Sequence, residues 1–234
     1  MAHRNPMESL PLHLGDRFVR AVDYARQLHI ETRKGSGIPA MAHLLGVASL
    51  VMGEAGHADC TVTEDMVIAA LLHDAVEDHG GKARLKDIEY NFGTVVARMV
   101  EGLSDTFAEN SDAKDLWEER KHAYVERLKS EPLDVQLISA ADKLYNARTI
   151  LDDYRHIGPE VWSRFKRGRE QQLGYFRNLL TVFRRSRTNR IVEELKRVVD
   201  ALDEISANKG QTVPDLRAAG DRKPRPAHQK PDKR

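Results

Sequence analysis

Apolar residues recur every three or four positions along most of the chain, which is the spacing of one face of an α-helix. Near the end of the chain, for example, Ile191, Leu195, Val198 and Leu202 follow this rule. No segment alternates β-branched or aromatic residues with polar ones, as a half-buried strand would. We therefore predict an all-α fold. The predicted helices are nine in number and lie near residues 15–31, 40–55, 63–79, 84–91, 93–104, 114–130, 133–152, 158–184 and 189–206.

Composition divides the chain into three predicted parts. Residues 1–14 form an N-terminal extension, residues 15–206 form a single helical domain, and residues 207–234 form a basic tail. The tail has almost no apolar content and three prolines in its last eleven residues, so we expect it to be disordered. A solubilising role suits this tail better than a nucleic-acid-binding one, although its six Lys and Arg residues after position 221 permit either.

The overall charge and the cysteine content exclude several classes of protein. A net charge of +1 gives no reason to expect a nucleic-acid or membrane partner. The longest apolar run, Met66–Leu72, is far shorter than the roughly 18 residues that a membrane span requires. A single cysteine, Cys60, cannot form an internal disulfide, which fits a reducing compartment. We therefore expect a cytoplasmic protein, and the patterns do not indicate an oligomeric state.

The stretch 71-LLHDAVEDHG-80 carries five ionisable side chains directly behind an apolar run. On a continuous helix over 63–79, His73, Asp74, Glu77 and Asp78 lie together, opposite the apolar side. Glu77 then lies one turn beyond His73, and Asp78 one turn beyond Asp74. A solvated face of an amphipathic helix would give the same pattern. These side chains are also the types that bind metal ions and move protons, so this helix alone leaves both interpretations open.

Two distant residues could complete a metal site. His43 begins an apolar helix in 41-MAHLLGVASLV-51, although a lone histidine there is more often a core or capping residue. Asp142 interrupts the apolar stretch 137-LISAADKLYNART-149, and a carboxylate near a core is costly unless it is paired or metal-bound. Asn146 and Thr149 lie on the same helical side as Asp142.

Three segments resemble a known family when they are taken together. They are 33-RKGSGIPAMAH-43, 73-HDAVED-78 and 141-ADKLYNART-149. Their order and spacing are similar to those of the HD-domain metal phosphohydrolases. They resemble most closely the alarmone hydrolases, which are the hydrolase domain of bifunctional Rel/Spo enzymes and the stand-alone small alarmone hydrolases. The resemblance runs from about residue 15 to residue 183. It departs from the family at 39-PAMAHL-44, where Ala40 replaces an aromatic residue and Leu44 a proline.

The resemblance implies a helical HD bundle that binds one divalent ion, with Mn²⁺ the expected metal. The implied metal ligands are His43, His73, Asp74 and Asp142, and the implied catalytic residues are Glu77 and Asp78. The expected substrate-binding residues are Arg33, Lys34, Asn146, Thr149, Arg148 and Arg169.

A second basic region, 162–190, has nine Lys and Arg residues against one Glu. It is typical of a solvated helix with basic ends. The alternative is that Arg164, Lys166 and Arg169 face the cleft and bind phosphates. We predict that its aromatic residues belong to the core. They are Trp162, Phe165, Tyr175 and Phe176.

The implied reaction removes the 3′-pyrophosphate from a guanosine or adenosine alarmone, giving pyrophosphate and the 5′-di- or triphosphate. The expected partner is therefore a small phosphorylated nucleotide. Another nucleotide is the first alternative, such as a nucleoside monophosphate, a cyclic nucleotide or NADPH. A non-catalytic HD-fold nucleotide-binding regulator is the second. The complete ligand set and the Glu77–Asp78 pair argue against the regulator, because a binding protein needs no proton-transfer pair.

Overall fold

The structure is a computed structural model that describes residues 11–33, 35–105, 117–186 and 190–207. Within these ranges the chain forms ten α-helical segments and one 3₁₀ helix. The α-helices are α1 Asp16–Leu28, α2 Ala40–Gly53, α3 Glu64–Leu72, α4 Ala75–Asp78, α5 Gly81–Phe92, α6 Thr94–Leu103, α7 Trp117–Leu128, α8 Leu133–Ile157, α9 Arg169–Ser186 and α10 Arg190–Ala207. The 3₁₀ helix spans Gly158–Arg164.

The prediction of an all-α fold is confirmed. The described ranges contain no strand, and their extended pairing is limited to one antiparallel bridge between Thr32 and Pro39. If the one-turn α4 is counted with α3, the α-helices of the described ranges number nine. None of the helices in the described ranges is long and apolar enough to cross a membrane. The predicted tail from residue 208 and the extension up to residue 10 lie outside the described residues.

Helix α3 lies at the centre of the bundle because it is apolar on every side. All seven residues from Met66 to Leu72 are buried, and α3 packs against α1, α2, α6 and α8. Thr63 caps its start by accepting a hydrogen bond from the backbone N–H of Met66. A helix that is apolar all round belongs in a protein core rather than on the surface. The ionisable residues of the candidate site therefore begin directly after this apolar run, at His73.

Two predicted helices are interrupted in the structure. The single helix predicted over 63–79 is wrong, because α3 ends at Leu72 and α4 begins only at Ala75. The single helix predicted over 158–184 is also wrong. Its first part winds as a 3₁₀ helix from Gly158 and Pro159, and the backbone is extended at Phe165 before α9 begins at Arg169. The third difference is one of length, since α8 continues to Ile157 instead of ending near 152.

A close approach between α2 and α8 fixes the distance between two halves of the site. A Cβ atom added at Gly46 would lie 2.1 Å from Cε2 of Tyr145, so only glycine lets the two helices come this near. The Tyr145 ring also stacks edge-on against His43, with 5.0 Å between ring centroids. His43 on α2 and Asp142 on α8 therefore meet across a contact that a small residue makes possible.

Candidate metal centre

Four predicted ligand side chains converge at one point in the bundle. The Nε2 atoms of His43 and His73 lie 3.1 Å apart. Asp74 oxygens lie 3.4 Å from His43 Nε2 and 3.2 Å from His73 Nε2. Asp142 Oδ1 lies 3.3 Å from His43 Nε2 and 3.7 Å from His73 Nε2. Residues from α2, α8 and the α3–α4 junction thus form one cluster of donor atoms.

The spacing of these atoms suits a metal ion. Ligand atoms about 2.0–2.2 Å from an ion, at tetrahedral or octahedral angles, lie about 2.8–3.6 Å from one another. Four of the five separations fall in this interval, and the fifth exceeds it by about 0.1 Å. The orientation of the His73 ring is also fixed by a hydrogen bond, because its Nδ1 lies 2.8 Å from the carbonyl oxygen of Ala70. Such a second hydrogen bond commonly fixes the ring of a ligating histidine. The cluster can therefore hold a divalent cation.

The electrostatics of the cluster favour added positive charge. Burial would raise the pKa of Asp142, but Lys143 and the two histidines hold it well below its usual range. Burial would lower the pKa of His73, but the carboxylates of Asp74 and Asp142 raise it to about 9. Without an ion, a proton on His73 compensates the negative charge of Asp74 and Asp142. A divalent ion would supply that charge more fully.

The interruption between α3 and α4 brings His73 and Asp74 to the same ion. Neighbouring residues on a straight helix point about 100° apart. Here Asp74 has a φ of −87° and a ψ of −10°, so the helix loosens at this residue. Helical bonding resumes at once, because the Asp78 N–H donates to the Asp74 carbonyl at 2.9 Å. The bend thus presents an imidazole and a carboxylate to the cluster side by side.

Polar residues of α8 and of the loop before α2 surround Asp142. Asn146 donates to Asp142 Oδ1 at 2.6 Å, and Lys143 donates to the other carboxylate oxygen. Asn146 in turn accepts a hydrogen bond from Arg33 Nη2 at 2.5 Å. The other guanidinium nitrogen, Arg33 Nη1, is buried and has no hydrogen-bond partner among the described residues. Arg33 is thus fixed by one nitrogen and can offer the other to a ligand.

Two cavities meet around this cluster, and Arg33 lines both. The smaller has a volume of about 240 Å³ and includes His43, Asp74 and Asp78 in its walls. The larger has a volume of about 350 Å³. Its walls are mainly cationic and aromatic and include Lys121, Lys143, Arg164, Trp117, Phe165, Tyr175 and Phe176. The core assignment of the aromatic residues is therefore incomplete, because three of them also line the larger cavity.

Glu77 has a partner that the sequence did not indicate. Its carboxyl group hydrogen-bonds to Asp105, which follows the end of α6. Burial, and after it the charge of Asp105, raises the pKa of Glu77 to about 7. Asp105 is stabilised as a carboxylate by Arg120 at 2.8 Å and Lys121 at 2.5 Å. Near neutral pH, Glu77 therefore exists in comparable amounts with and without its proton.

The remaining predicted substrate-binding residues divide into three groups. Thr149 lines the larger cavity, where its hydroxyl donates to the Tyr145 carbonyl. Lys34 lies outside the described residues. Arg148 and Arg169 are each paired with a carboxylate of α10, Arg148 with Glu194 at 3.4 Å and Arg169 with Asp203 at 2.6 Å. A role of these two arginines in substrate binding stays a prediction.

Of the three basic residues proposed from the 162–190 region, Arg164 lines the larger cavity and pairs with Asp153. Lys166 is exposed. Arg164 therefore supports the phosphate-binding interpretation, and that interpretation stays a prediction for Lys166 and Arg169. Gly35 (φ +76°) packs its backbone against the Arg164 side chain, which joins the Arg33 loop to the 3₁₀ helix.

Sequence reasoning missed Asp105, Lys121, Lys143 and Tyr175. Lys143 had a signal, because a lysine next to a buried Asp in an apolar stretch is an obvious neutralising partner. The Tyr175 hydroxyl is buried and has no hydrogen-bond partner among the described residues. Burial raises its pKa, so it remains a neutral donor beside the cluster. No local pattern pairs residues 105, 121 and 175, since only the folded bundle brings them together.

A family model described as the HD domain matches residues 21–171, which include all four donor residues. The chain belongs to the HD-domain family. The predicted resemblance is thus confirmed. Sequence relatives include the human "Guanosine-3′,5′-bis(diphosphate) 3′-pyrophosphohydrolase MESH1", which is 36% identical over 149 residues, or 63% of this chain and 74% of the relative. The Drosophila melanogaster MESH1 is 30% identical over 196 residues, or 83% of this chain and 95% of the relative.

Solved structures of other proteins share this HD-domain fold. One is described as a metazoan ortholog of SpoT that hydrolyzes ppGpp. It matches with a TM-score of 0.62 over 80% of this chain and 96% of its own, at 24% identity, and so shows the likeness of fold alone. A Listeria monocytogenes protein matches with a TM-score of 0.57 at 31% identity, over 69% of this chain and 99% of its own.

Proposed function

We propose that this protein is a divalent-metal-dependent 3′-pyrophosphohydrolase of guanosine-3′,5′-bis(diphosphate) or its adenosine counterpart. Water would attack the phosphorus atom bonded to the 3′-oxygen, and the bond between that phosphorus and oxygen would break. The 3′-oxygen would leave with a proton, giving pyrophosphate and the nucleoside 5′-diphosphate. The observation that carries this proposal is a metal-type donor cluster in the wall of the smaller cavity, which shares Arg33 with the larger one. The names of the MESH1 relatives support the choice of substrate.

Cationic side chains suit the binding of two phosphate groups. The diphosphoryl group that is transferred to water carries negative charge on its oxygens, which positioned Arg and Lys residues neutralise. Arg33 offers Nη1, which has no partner in the described part of the chain. Lys143 and Arg164 line the larger cavity beside it, although each also pairs with one aspartate. We assign Arg33 to the 3′-pyrophosphate, because among the described residues it is the one that lines both cavities, and it is linked to Asp142 through Asn146.

The donor set is suited to Mn²⁺. Two imidazoles and two carboxylates, with room for water, suit a borderline ion of octahedral preference. An ion held by His43, His73, Asp74 and Asp142 would withdraw charge from phosphate oxygens and acidify water. The protein's contribution is to hold these four donors at the required spacing, with the bend at Asp74 and the α2–α8 contact as supports.

Glu77 and Asp78 divide the proton chemistry between them in this proposal. The reaction takes one proton from water and returns one to the 3′-oxygen. Glu77, with a pKa of about 7, can accept or donate a proton near neutral pH, which suits a general acid–base group. Asp78 lines the smaller cavity next to Asp74 and can orient the attacking water there.

The larger cavity can accept a nucleoside. Trp117, Phe165 and Tyr175 give it flat apolar surfaces of the kind that bases stack on. Ala40, which stands where the resemblance leads us to expect an aromatic residue, lines the smaller cavity instead. An alanine removes one stacking partner, so guanine and adenine substrates must be compared directly.

A turnover screen on Mn²⁺-loaded protein tests the proposal. The substrates are ppGpp, ppApp, NADPH, a nucleoside monophosphate and a cyclic nucleotide, and the products are identified by ion-exchange chromatography. We expect pyrophosphate release from ppGpp or ppApp, and loss of that release in Asp142→Asn or after chelation. Turnover confined to NADPH or to the simple nucleotides would overturn the assigned substrate. Tight ppGpp binding without any turnover would indicate a regulatory protein instead.

A further inference from the structure

A second group of metal-binding side chains lies beside the first. His29 follows the end of α1, Glu31 lies in the next loop, and His79 follows α4. His29 Nδ1 is 3.0 Å from Glu31 Oε1 and 3.2 Å from His79 Nε2, and the last two atoms are 3.4 Å apart. These three distances fall within the same interval of about 2.8–3.6 Å that ligands of one ion require. The three donor atoms are thus spaced like those of the His43–His73–Asp74 group.

We propose that His29, Glu31 and His79 bind a second divalent transition-metal ion. Two imidazole nitrogens and one carboxylate oxygen suit ions such as Zn²⁺ and Co²⁺. Mg²⁺ and Ca²⁺ prefer sites made of oxygen atoms, so they fit this group poorly. Three protein ligands leave at least one coordination position for water or for a ligand in the neighbouring cavity.

The backbone holds these three residues in place before any ion arrives. The Glu31 carbonyl accepts a hydrogen bond of 3.0 Å from the Ala40 N–H at the start of α2. The His79 carbonyl accepts one of 3.0 Å from Arg84 Nε on α5. His29 is 3% exposed, and burial lowers the pKa of its ring, which leaves the imidazole neutral and able to offer a lone pair. Glu31 and His79 are more exposed, which gives the ion a route from solvent.

The second group adjoins the first across the smaller cavity. His29 and Glu31 line this cavity together with His43 and Asp74. The Asp74 carboxylate is close enough to His29 to raise its pKa in opposition to burial. A second ion would therefore add positive charge to a cavity wall that already contains the first site. Its binding does not depend on the substrate proposed above, so it can be tested by metal content alone.

The test is a Co²⁺ titration of the metal-free, full-length protein, followed by visible absorption and by elemental analysis after desalting. We expect two equivalents of Co²⁺ in the wild type. Glu31→Gln and His79→Gln should each bind one equivalent, because each substitution removes one ligand from the second site only. Asp142→Asn should also bind one equivalent, through the second site. His57→Gln, which changes an exposed histidine elsewhere, serves as the matched control and should keep two equivalents.

The outcomes separate a metal site from a hydrogen-bonded cluster. A wild type that binds one equivalent would overturn the proposal, as would Glu31→Gln and His79→Gln variants that keep two. Circular dichroism of each variant confirms that a lost equivalent does not reflect unfolding, and both substituted residues are partly exposed, so the fold should tolerate the changes. Loss of ppGpp turnover in the screen above would leave the two-equivalent result unaffected, so the two proposals can fail independently.

Discussion

Replacing Glu77 with glutamine should slow the enzyme and stabilise the fold at the same time. If Glu77 moves a proton in the reaction, Glu77→Gln keeps the size and the hydrogen-bonding capacity but removes the ionisable group. General acid–base contributions are typically about 10²–10⁴-fold, so kcat should fall by at least about a hundredfold. The metal should remain bound, because Glu77 lies beyond the four donor residues.

The stability gain follows from the pKa of Glu77. Burial and the charge of Asp105 raise this pKa from 4.5 to about 7. The folded protein therefore holds a proton that the unfolded chain has released, and this contribution to stability is complete below pH 4.5 and disappears as pH rises through 7. At 1.36 kcal/mol per pKa unit, the loss amounts to at most about 3 kcal/mol. Glutamine has no such loss, so the free energy of unfolding of Glu77→Gln should rise relative to wild type by up to about 3 kcal/mol between pH 4.5 and 8.

Urea denaturation of metal-free protein at several pH values measures this difference. Glu160→Gln is the matched control, because it makes the same side-chain change at an exposed position on the 3₁₀ helix. Its stability difference from wild type should change with pH much less than that of Glu77→Gln. On the same preparation of Glu77→Gln, kcat and bound metal are determined together.

Three results would refute the reasoning. Parallel stability curves for wild type and Glu77→Gln would show that Glu77 does not keep its proton in the folded state. Near-normal turnover would move the proton-transfer role to Asp78. Loss of the metal in Glu77→Gln would place Glu77 among the ligands.

Four further predictions test the site and its supports. Asp142→Asn removes a ligand charge and should lose both metal and turnover, measured by elemental analysis and kcat on one preparation. Gly46→Ala, whose new Cβ would meet the tyrosine ring of α8 at 2.1 Å, should lower the free energy of unfolding by about 1–3 kcal/mol and weaken metal binding. Gly53→Ala, which meets nothing within 4 Å, should do neither. Lys121→Met removes a charge that lowers the pKa of Glu77, so the acidic limb of the kcat/KM profile should move to higher pH. Truncation after Lys209 should leave kcat and the melting temperature unchanged.

The sequence predicts most of the helices because the core pattern is strong and local. The run from Met66 to Leu72 is apolar in every direction, and Thr63 caps its start. Both the existence and the beginning of α3 can therefore be predicted from the sequence. The break after Leu72 cannot be predicted, since the chain has no glycine or proline there. Asp74 departs from helical geometry mainly in ψ, which is −10° instead of about −42°. A backbone change this small redirects the side chains of His73 and Asp74 but leaves the spacing of the apolar residues unchanged.

The presence of His43 and Asp142 in the polar cluster is also predictable from the sequence, for a physical reason. His43 and Asp142 are ligand-type residues set into apolar helix faces, and burial without a partner would be costly for both. That conflict between side chain and surroundings is visible in the sequence. Nothing in the sequence marks Lys121 or Asp105 in this way. Asp105 follows the end of α6 and Lys121 lies within α7, and charged residues are common at both kinds of position. Their pairing depends on how α6 and α7 meet, which local patterns do not encode.

The charges around Asp142 explain why this cluster, which holds a proton on His73 in the metal-free protein, also attracts a divalent cation. Lys143 neutralises one of the two carboxylates, and the strongly raised pKa of Lys143 shows that it stays charged. The second carboxylate, Asp74, then relies on His73, whose pKa of about 9 means that it is protonated at neutral pH in the metal-free protein. A metal ligand must be unprotonated, so an ion held by His43, His73, Asp74 and Asp142 would replace that proton and supply its charge. The same carboxylates that raise the His73 pKa therefore create the attraction for the ion that replaces the proton.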